Sequence, residues 1–512
     1  MTLTMKLTQT FKTALLLLLS FCCSIAYAQN KSEIDINNFR DYIIKVKNEW
    51  KIPGIAAGVI KDGKVVLNEG FGIAHPDGTP VNETSLFQIG SVSKSFTATL
   101  MARLVDEGKV KWEDTVKSIL PDLDLYDNWI EENLQVKDIM THRMGMKGQQ
   151  GTYIPNLGYS RDDVYRMMHL LKPGYSFRGS YEYNNITFII AQRIIEKLSG
   201  KSWEDNLKDV IFEPVGMYNS SANGEPFAAS PYAAVPYDYG WRDSIFTAPI
   251  FGEEQALHWL TVVGPAGSVN STVPDMLKYV QFHLDKGKVG DKEIISKKGM
   301  DFLHKGQTIT SQDSARTTLY AHCWFVEQNS KYRLWFHTGT TWGFTTLVGF
   351  VPELNLGMVF LVNSDAPANL RYSLMRRLID MYRGEEVLKD YSADYLAQWI
   401  KSSSESREKA MKREASAERR AAPPVESLVG VYDKGELFGK AVVDVERGEA
   451  YITIGPKGWR HKLVHRDGNE FTFRSDGHAF RVKFDLGENP CMDLDFGGNE
   501  NFGPWMRVIN KK

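Results

Sequence analysis

Apolar positions recur at helical spacing through Phe39, Tyr42, Ile43, Val46 and Trp50, which predicts a helix within residues 30–50. The next stretch, IPGIAAGVIKDGKVVLNEGFG, reads as two strands joined at Lys61-Asp62-Gly63-Lys64, a hairpin with a glycine in its turn. An amphipathic helix over 96–107 closes at Gly108. A long, mixed, loop-rich region runs to about residue 260. There GPAGSVNSTVPDMLKYVQFHL turns from a glycine-rich loop into a helix with Asp275 near its start. From Tyr320 to Asn363 the pattern becomes strand-like in AHCWFVEQ, YRLWFHTG, GFTTLVGFVPE and LGMVFLVNS, and a helix returns over 369–384. The first 390 residues therefore read as α/β.

Residues 401–424, KSSSESREKAMKREASAERRAAPP, break this pattern. Large apolar residues are almost absent and charges alternate, which predicts a solvated helical linker ended by Pro423-Pro424. Beyond it the chain alternates at period two with frequent turns, the pattern of a small antiparallel β domain, barrel-like, over 425–512. The expected organisation is a leader at 1–28, an α/β domain at 30–390, the linker at 401–424 and the β domain.

The leader is read from MTLTMKLTQTFKTALLLLLSFCCSIAYAQN. Lys6 and Lys12 precede an apolar stretch from Ala14 to Ile25, and Ala26-Tyr27-Ala28 offers a small-residue cleavage site. A secreted or periplasmic location follows. Lipoprotein anchoring through Cys22 or Cys23 is the alternative, against which bulky Phe21 counts. No later stretch approaches the length of a membrane span. Composition is that of a globular protein, with 43% hydrophobic and 24% charged residues in 512, and the formal net charge of −2 gives no basic field for nucleic acid. Cys323 and Cys491 are the cysteines outside the leader; free thiols are expected over a disulfide. The eleven histidines show no zinc-site spacing, so neither metal nor cofactor is expected.

The candidate chemistry lies in FQIGSVSKSF. Ser91-Val92-Ser93-Lys94 opens a helix, and residues three apart share a helix face, so the Lys94 amine reaches back toward the Ser91 hydroxyl. A serine becomes a nucleophile when a neighbouring base takes its proton, and a lysine serves if desolvation lowers its pKa. Spacing alone proves little, because Ser406-Arg407-Glu408-Lys409 repeats it inside the charged linker. Tyr183-Asn184-Asn185 precedes an apolar helix ending at Gly200; Tyr183 is placed to relay a proton to a leaving group and Asn185 to bond Lys94 and a substrate carbonyl. The plainer alternative is a capping asparagine beside a buried aromatic. His337-Thr338-Gly339 ends a strand; Gly339 admits close backbone approach, and the Thr340 N–H could pair with that of Ser91 as an oxyanion hole.

Taken in order, these three elements resemble the penicillin-recognising serine hydrolases of the class C β-lactamase and D-alanyl-D-alanine carboxypeptidase group. HRMGM (142–146), GPAGSVNST (264–272) and LVDEGK (104–109) add to the likeness. The resemblance covers residues 35–385 and implies an antiparallel sheet flanked by helices with a helical subdomain; the C-terminal part resembles lipocalin-like modules. It implies Ser91 as acyl-forming nucleophile, Lys94 as its base, Tyr183 as second proton shuttle and Asn185 as positioning residue. His337 takes the third motif's cationic position, and the Ser91 and Thr340 amides form the oxyanion hole. Two departures matter: the usual lysine of the third motif is His337, and Arg143-Met144 replaces a Thr-Ser pair. The expected function is a serine hydrolase acting on a small-molecule or peptide substrate, with the cell wall as one source, by peptidase, carboxypeptidase or esterase chemistry. A class C-like β-lactamase and a non-catalytic cell-wall or glycan binder are the alternatives.

Overall fold

The computed structural model describes residues 35–239, 246–247, 254–497, 500 and 502–508. The leader, with Cys22 and Cys23, lies outside the described residues. Helix α1 (Ile36–Glu49) starts where the Asp35 carboxylate accepts the Asn37 N–H at 3.0 Å, and it buries Phe39, Tyr42, Ile43 and Val46. Strands β1 (Gly54–Lys61) and β2 (Lys64–Gly72) form the hairpin read from the sequence.

The remaining strands of this sheet come from the second half of the chain: β3 (Thr308–Gln312), β4 (Arg316–Tyr320), β5 (Phe325–Asn329), β6 (Arg333–Thr341), β7 (Phe344–Val351) and β8 (Leu356–Val362). Their order is β2-β1-β8-β7-β6-β5-β4-β3, antiparallel throughout, with Ile55 opposite Val362 where the two halves meet. Strands β7 and β8 are buried at every position. Helices cover both of their faces, which is why their sequences read as continuous apolar runs.

Six further helices matter here: α2 (Ser93–Asp106), α3 (Thr187–Ser199), α4 (Glu254–Val262), α5 (Val273–Leu284), α6 (Ala368–Arg383) and α7 (Tyr391–Ala415). α1 and α6 pack Phe39, Ile43, Leu374 and Leu378 against Ile55 and Phe360 on one face of the sheet. On the other face α2 and α5 bring Phe96, Leu277 and Val280 against Ile60 and Val359. Short helices between α2 and α4 build the helical part. Helix α2 begins three residues before the predicted start, because a 3-10 turn at Gly90–Val92 runs straight into it. Helix α7 starts at Tyr391, ten residues before the charged stretch. Its first turns rest on α1 through Trp399 against Trp50 and Ser392 against Tyr42, while its second half is exposed.

The C-terminal strands are β9 (Gly430–Asp433), β10 (Lys440–Glu446), β11 (Glu449–Ile454), β12 (Trp459–Lys462), β13 (Val464–Asp467), β14 (Glu470–Ser475), β15 (His478–Asp485), β16 (Cys491–Asp495) and β17 (Trp505–Arg507). They form one sheet in the order β12-β11-β10-β9-β17-β16-β15-β14-β13, curled until β12 meets β14, a nearly closed barrel. Period-two alternation turns Phe480, Val482 and Phe484 of β15 inward. The architecture is the helix-flanked antiparallel α/β sheet with a barrel-like C-terminal sheet expected from the sequence. Cys323 is buried and Cys491 half-buried, both as free thiols. No helix among the described residues is long and apolar enough to cross a membrane.

Candidate active site

Ser91 lies in the 3-10 turn, half-buried, at the point where the chain leaves a two-residue strand and enters α2. The turn is clamped from both sides. Ser93 Oγ donates to the Gly90 carbonyl at 2.7 Å and accepts the Val269 N–H at 3.0 Å. Strand β6 presses directly on it. A Cβ added to Gly339 would sit 1.8 Å from the Ile89 oxygen and 3.1 Å from the Ser91 nitrogen, and one added to Gly90 would sit 2.7 Å from the Thr340 nitrogen. Backbone against backbone, these two glycines bring the Ser91 and Thr340 amides to the same place. Behind β6, the buried Arg371 guanidinium of α6 donates to the Gly339 carbonyl and to that of Thr346, fixing the peptide that leads into Thr340.

Lys94 is fully buried, one turn along α2 from Ser91. Its Nζ lies 3.1 Å from Ser91 Oγ, 2.7 Å from Asn185 Oδ1 and 3.0 Å from the Ala266 carbonyl oxygen. Desolvation drives its pKa from 10.5 down to about 7. Two of its three partners can only accept, so a neutral amine spends both hydrogens on Asn185 and Ala266 and turns its lone pair to the Ser91 hydroxyl. The decoy pair, Ser406 and Lys409, stands exposed on α7.

Tyr183 lines the same cavity as Ser91, and its ring centroid lies 4.6 Å from Lys94 Nζ. Burial pushes the phenol pKa upward, with the neighbouring Ser91 hydroxyl acting in the opposite direction, so the group is a protonated phenol near neutrality. Asn185 reaches Lys94 through its oxygen and donates its amide to Gln149 Oε1 at 2.9 Å. His142, buried, accepts the Asn184 N–H on Nδ1 at 3.1 Å and packs its ring 4.3 Å from that of Tyr183.

His337 departs from the cationic position the resemblance implies. Its Nδ1 is 2.7 Å from the Thr338 carbonyl, which only accepts, so Nδ1 carries the proton and Nε2 accepts from Tyr320 OH at 3.1 Å. Burial and the nearby Lys94 lower its pKa to about 3. The imidazole is therefore neutral with both nitrogens engaged inside the protein.

Ser91, Tyr183, Asn185, His337 and Thr340 border one cavity of about 730 Å³, walled by aromatic side chains that include Tyr153, Trp259 and Trp342. Gln149, Trp259 and Asp365 in this wall carried no motif in the sequence, and neither did Tyr320 or Arg371 behind it. Gln149 lies just past the HRMGM stretch and Ala266 inside GPAGS, the one sequence signal that pointed near either. Among the described residues no group of His, Cys, Asp and Glu is arranged to hold a metal.

A serine–lysine–tyrosine cluster at the junction of an antiparallel sheet and a helical region defines a serine hydrolase of the β-lactamase fold. The sequence profile of the Beta-lactamase family matches residues 39–379, and the chain belongs to that family. Among curated relatives, the unguisins hydrolase ungD' of Aspergillus campestris (strain IBT 28561) is 27% identical over 361 residues, which are 67% of this chain and 65% of that protein. The match thus spans just under two thirds of that relative's length. Penicillin-binding protein 4 of Amycolatopsis lactamdurans is 26% identical over 353 residues, 66% of this chain and 88% of the relative. The octameric penicillin-binding protein homologue from Pyrococcus abyssi shares the fold, with a TM-score of 0.58 at 22% identity over 90% of this chain and 98% of its own.

Proposed function

We propose that this protein hydrolyses esters and amides through an acyl-enzyme on Ser91. The observation that carries the reading is the Lys94 amine, desolvated and bonded so that only its lone pair is left to face Ser91 Oγ. Lys94 takes the Ser91 proton as Oγ adds to the substrate carbonyl carbon, and the Ser91 and Thr340 N–H groups stabilise the oxyanion. Collapse of that intermediate expels an alcohol or amine, which takes its proton from the Tyr183 phenol; the Lys94 ammonium then reprotonates Tyr183. Water enters, gives its proton to the same pair, and releases the acid as Ser91 regains its hydrogen. Asn185 holds Lys94 in line, and Arg371 holds the Gly339–Thr340 peptide.

His337 narrows the substrate class. β-Lactams and C-terminal D-amino-acid peptides carry a carboxylate beside the scissile bond, and a neutral imidazole with both nitrogens engaged offers it no cation. This supports an esterase, or a peptidase acting away from a free carboxylate, ahead of a carboxypeptidase or β-lactamase. The proposal includes export directed by residues 1–28, chemistry in a domain at 30–390, a connector at 401–424 and a second domain at 425–512.

Turnover of p-nitrophenyl acetate, a D-amino-acid p-nitroanilide and nitrocefin, with Ser91→Ala as control, tests this reading. The account expects the ester and anilide to be cleaved well ahead of nitrocefin, and all three activities to vanish in the variant. Failure of a fluorophosphonate to label the wild type would leave a non-catalytic binder as the better description.

A further inference from the structure

The loop Lys147–Thr152 joins the catalytic cluster to the C-terminal barrel. On the cluster side, Gln149 N–H donates to the Tyr183 carbonyl at 3.0 Å, the Asn184 amide donates to the Gln150 carbonyl at 2.9 Å, and the Gln149 side chain accepts from Asn185 at 2.9 Å. The loop holds this shape at a backbone cost: Gln149 has φ +62°, a left-handed conformation that a residue with a Cβ rarely adopts. On its other side the loop is fixed by the barrel. Gly151 N–H points at both oxygens of the Glu500 carboxylate, at 3.1 and 3.0 Å.

Glu500 sits in the connection between β16 and β17, in a turn closed by the Phe496 N–H donating to the Glu500 carbonyl at 2.9 Å. Beyond the loop the barrel grips the next residues as well. His478 stacks on Tyr153 with ring centroids 3.6 Å apart, and Ser475 Oγ donates to the Asn156 carbonyl at 2.6 Å. Glu500 is a barrel side chain that hydrogen-bonds the segment carrying Gln149. A carboxyl oxygen accepting a backbone N–H at a partly desolvated site is an orienting bond whichever protonation state the acid holds.

We infer that Glu500 is a positioning residue of the hydrolase: it latches Gly151 so that Gln149, and through it Asn185 and Lys94, keep the geometry that activates Ser91. The barrel is thereby part of the catalytic apparatus rather than an appended module. The inference rests on the acyl-enzyme reading above.

The test uses the full-length protein with p-nitrophenyl acetate, reading kcat and KM separately for Glu500→Ala, Glu500→Gln and Glu500→Asp, with Ser91→Ala alongside. Loss of the latch lowers kcat about tenfold in the alanine variant with KM within twofold, because it misplaces reacting groups without altering the cavity wall. Glutamine, which keeps an acceptor oxygen at the same reach, retains at least half the wild-type kcat. Aspartate, one methylene short, falls about as far as alanine and supplies the readout if the alanine variant does not fold. Wild-type kcat in the alanine or aspartate variant overturns the latch, as does a glutamine variant impaired like alanine, or a rise in KM at constant kcat. Each of these leaves the acyl-enzyme reading standing if Ser91→Ala is inert. Turnover by Ser91→Ala sinks that reading, and the latch with it.

Discussion

Lowering the pH from 8 to 5 should silence the enzyme through Lys94. The amine is enclosed in α2, its nearest partners are neutral carbonyl and hydroxyl oxygens, and burial brings its pKa to about 7. At pH 7 about half the molecules then carry the free amine that takes the Ser91 proton; an ordinary lysine would present roughly one in three thousand. At pH 5 about one molecule in a hundred remains competent. Tyr183 stays protonated over the whole range and adds no ionisation of its own. The assay is kcat/KM for an uncharged p-nitrophenyl ester between pH 5 and 9, with substrate blanks subtracted. The expected profile climbs about tenfold per pH unit at the acid end and levels off above pH 8. A flat profile, or activity still climbing tenfold per unit between pH 8 and 9, refutes the assignment of Lys94 as the base.

Three further consequences follow from the same contacts. Gly339→Ala puts a methyl 1.8 Å from the Ile89 oxygen, forcing β6 off the Ser91 turn; kcat should fall about a hundredfold, and a variant within threefold of wild type contradicts the oxyanion-hole placement. Arg371→Met orphans the Gly339 and Thr346 carbonyls in the core, an expected loss of about 3 kcal/mol in urea unfolding, and unchanged stability would remove Arg371 from the account. Lys94→Met separates stability from chemistry. The folded-state pKa lies below the unfolded 10.5, so the burial penalty is full below about pH 7, absent above 10.5, and in between stability rises by about 1.4 kcal/mol per pH unit. Wild type should therefore gain about 2 kcal/mol on the methionine variant between pH 7 and 9; a pH-independent difference would mean that Lys94 is not desolvated in the folded state.

The fold was legible in the sequence where burial imposes a period. The α1 stripe at Phe39, Ile43 and Val46, the β1–β2 hairpin, the apolar runs of β7 and β8 and the alternation in β15 each state which side faces the core. Boundaries were less legible. Ser93 starts α2 early because a 3-10 turn carries the chain into it without a capping side chain, and α7 starts early because its first turns are amphipathic against α1. In the site, Ser91 and Lys94 could be paired from sequence because they share a helix face. That His337 has both ring nitrogens engaged inside the protein could not be read, because Tyr320 is brought alongside by strand register. Gln149, Arg371 and Glu500 make a few hydrogen bonds to residues distant in sequence, which leave no period to detect.

The most direct measurement is mass spectrometry of the protein quenched in acid moments after mixing with p-nitrophenyl acetate, followed by peptide mapping. A chain heavier by one acetyl group, the group carried on the peptide containing Ser91 and missing in Ser91→Ala, is the predicted result. Steady release of p-nitrophenol with no acetylated species at any time, or acetyl carried on a different residue, would contradict it.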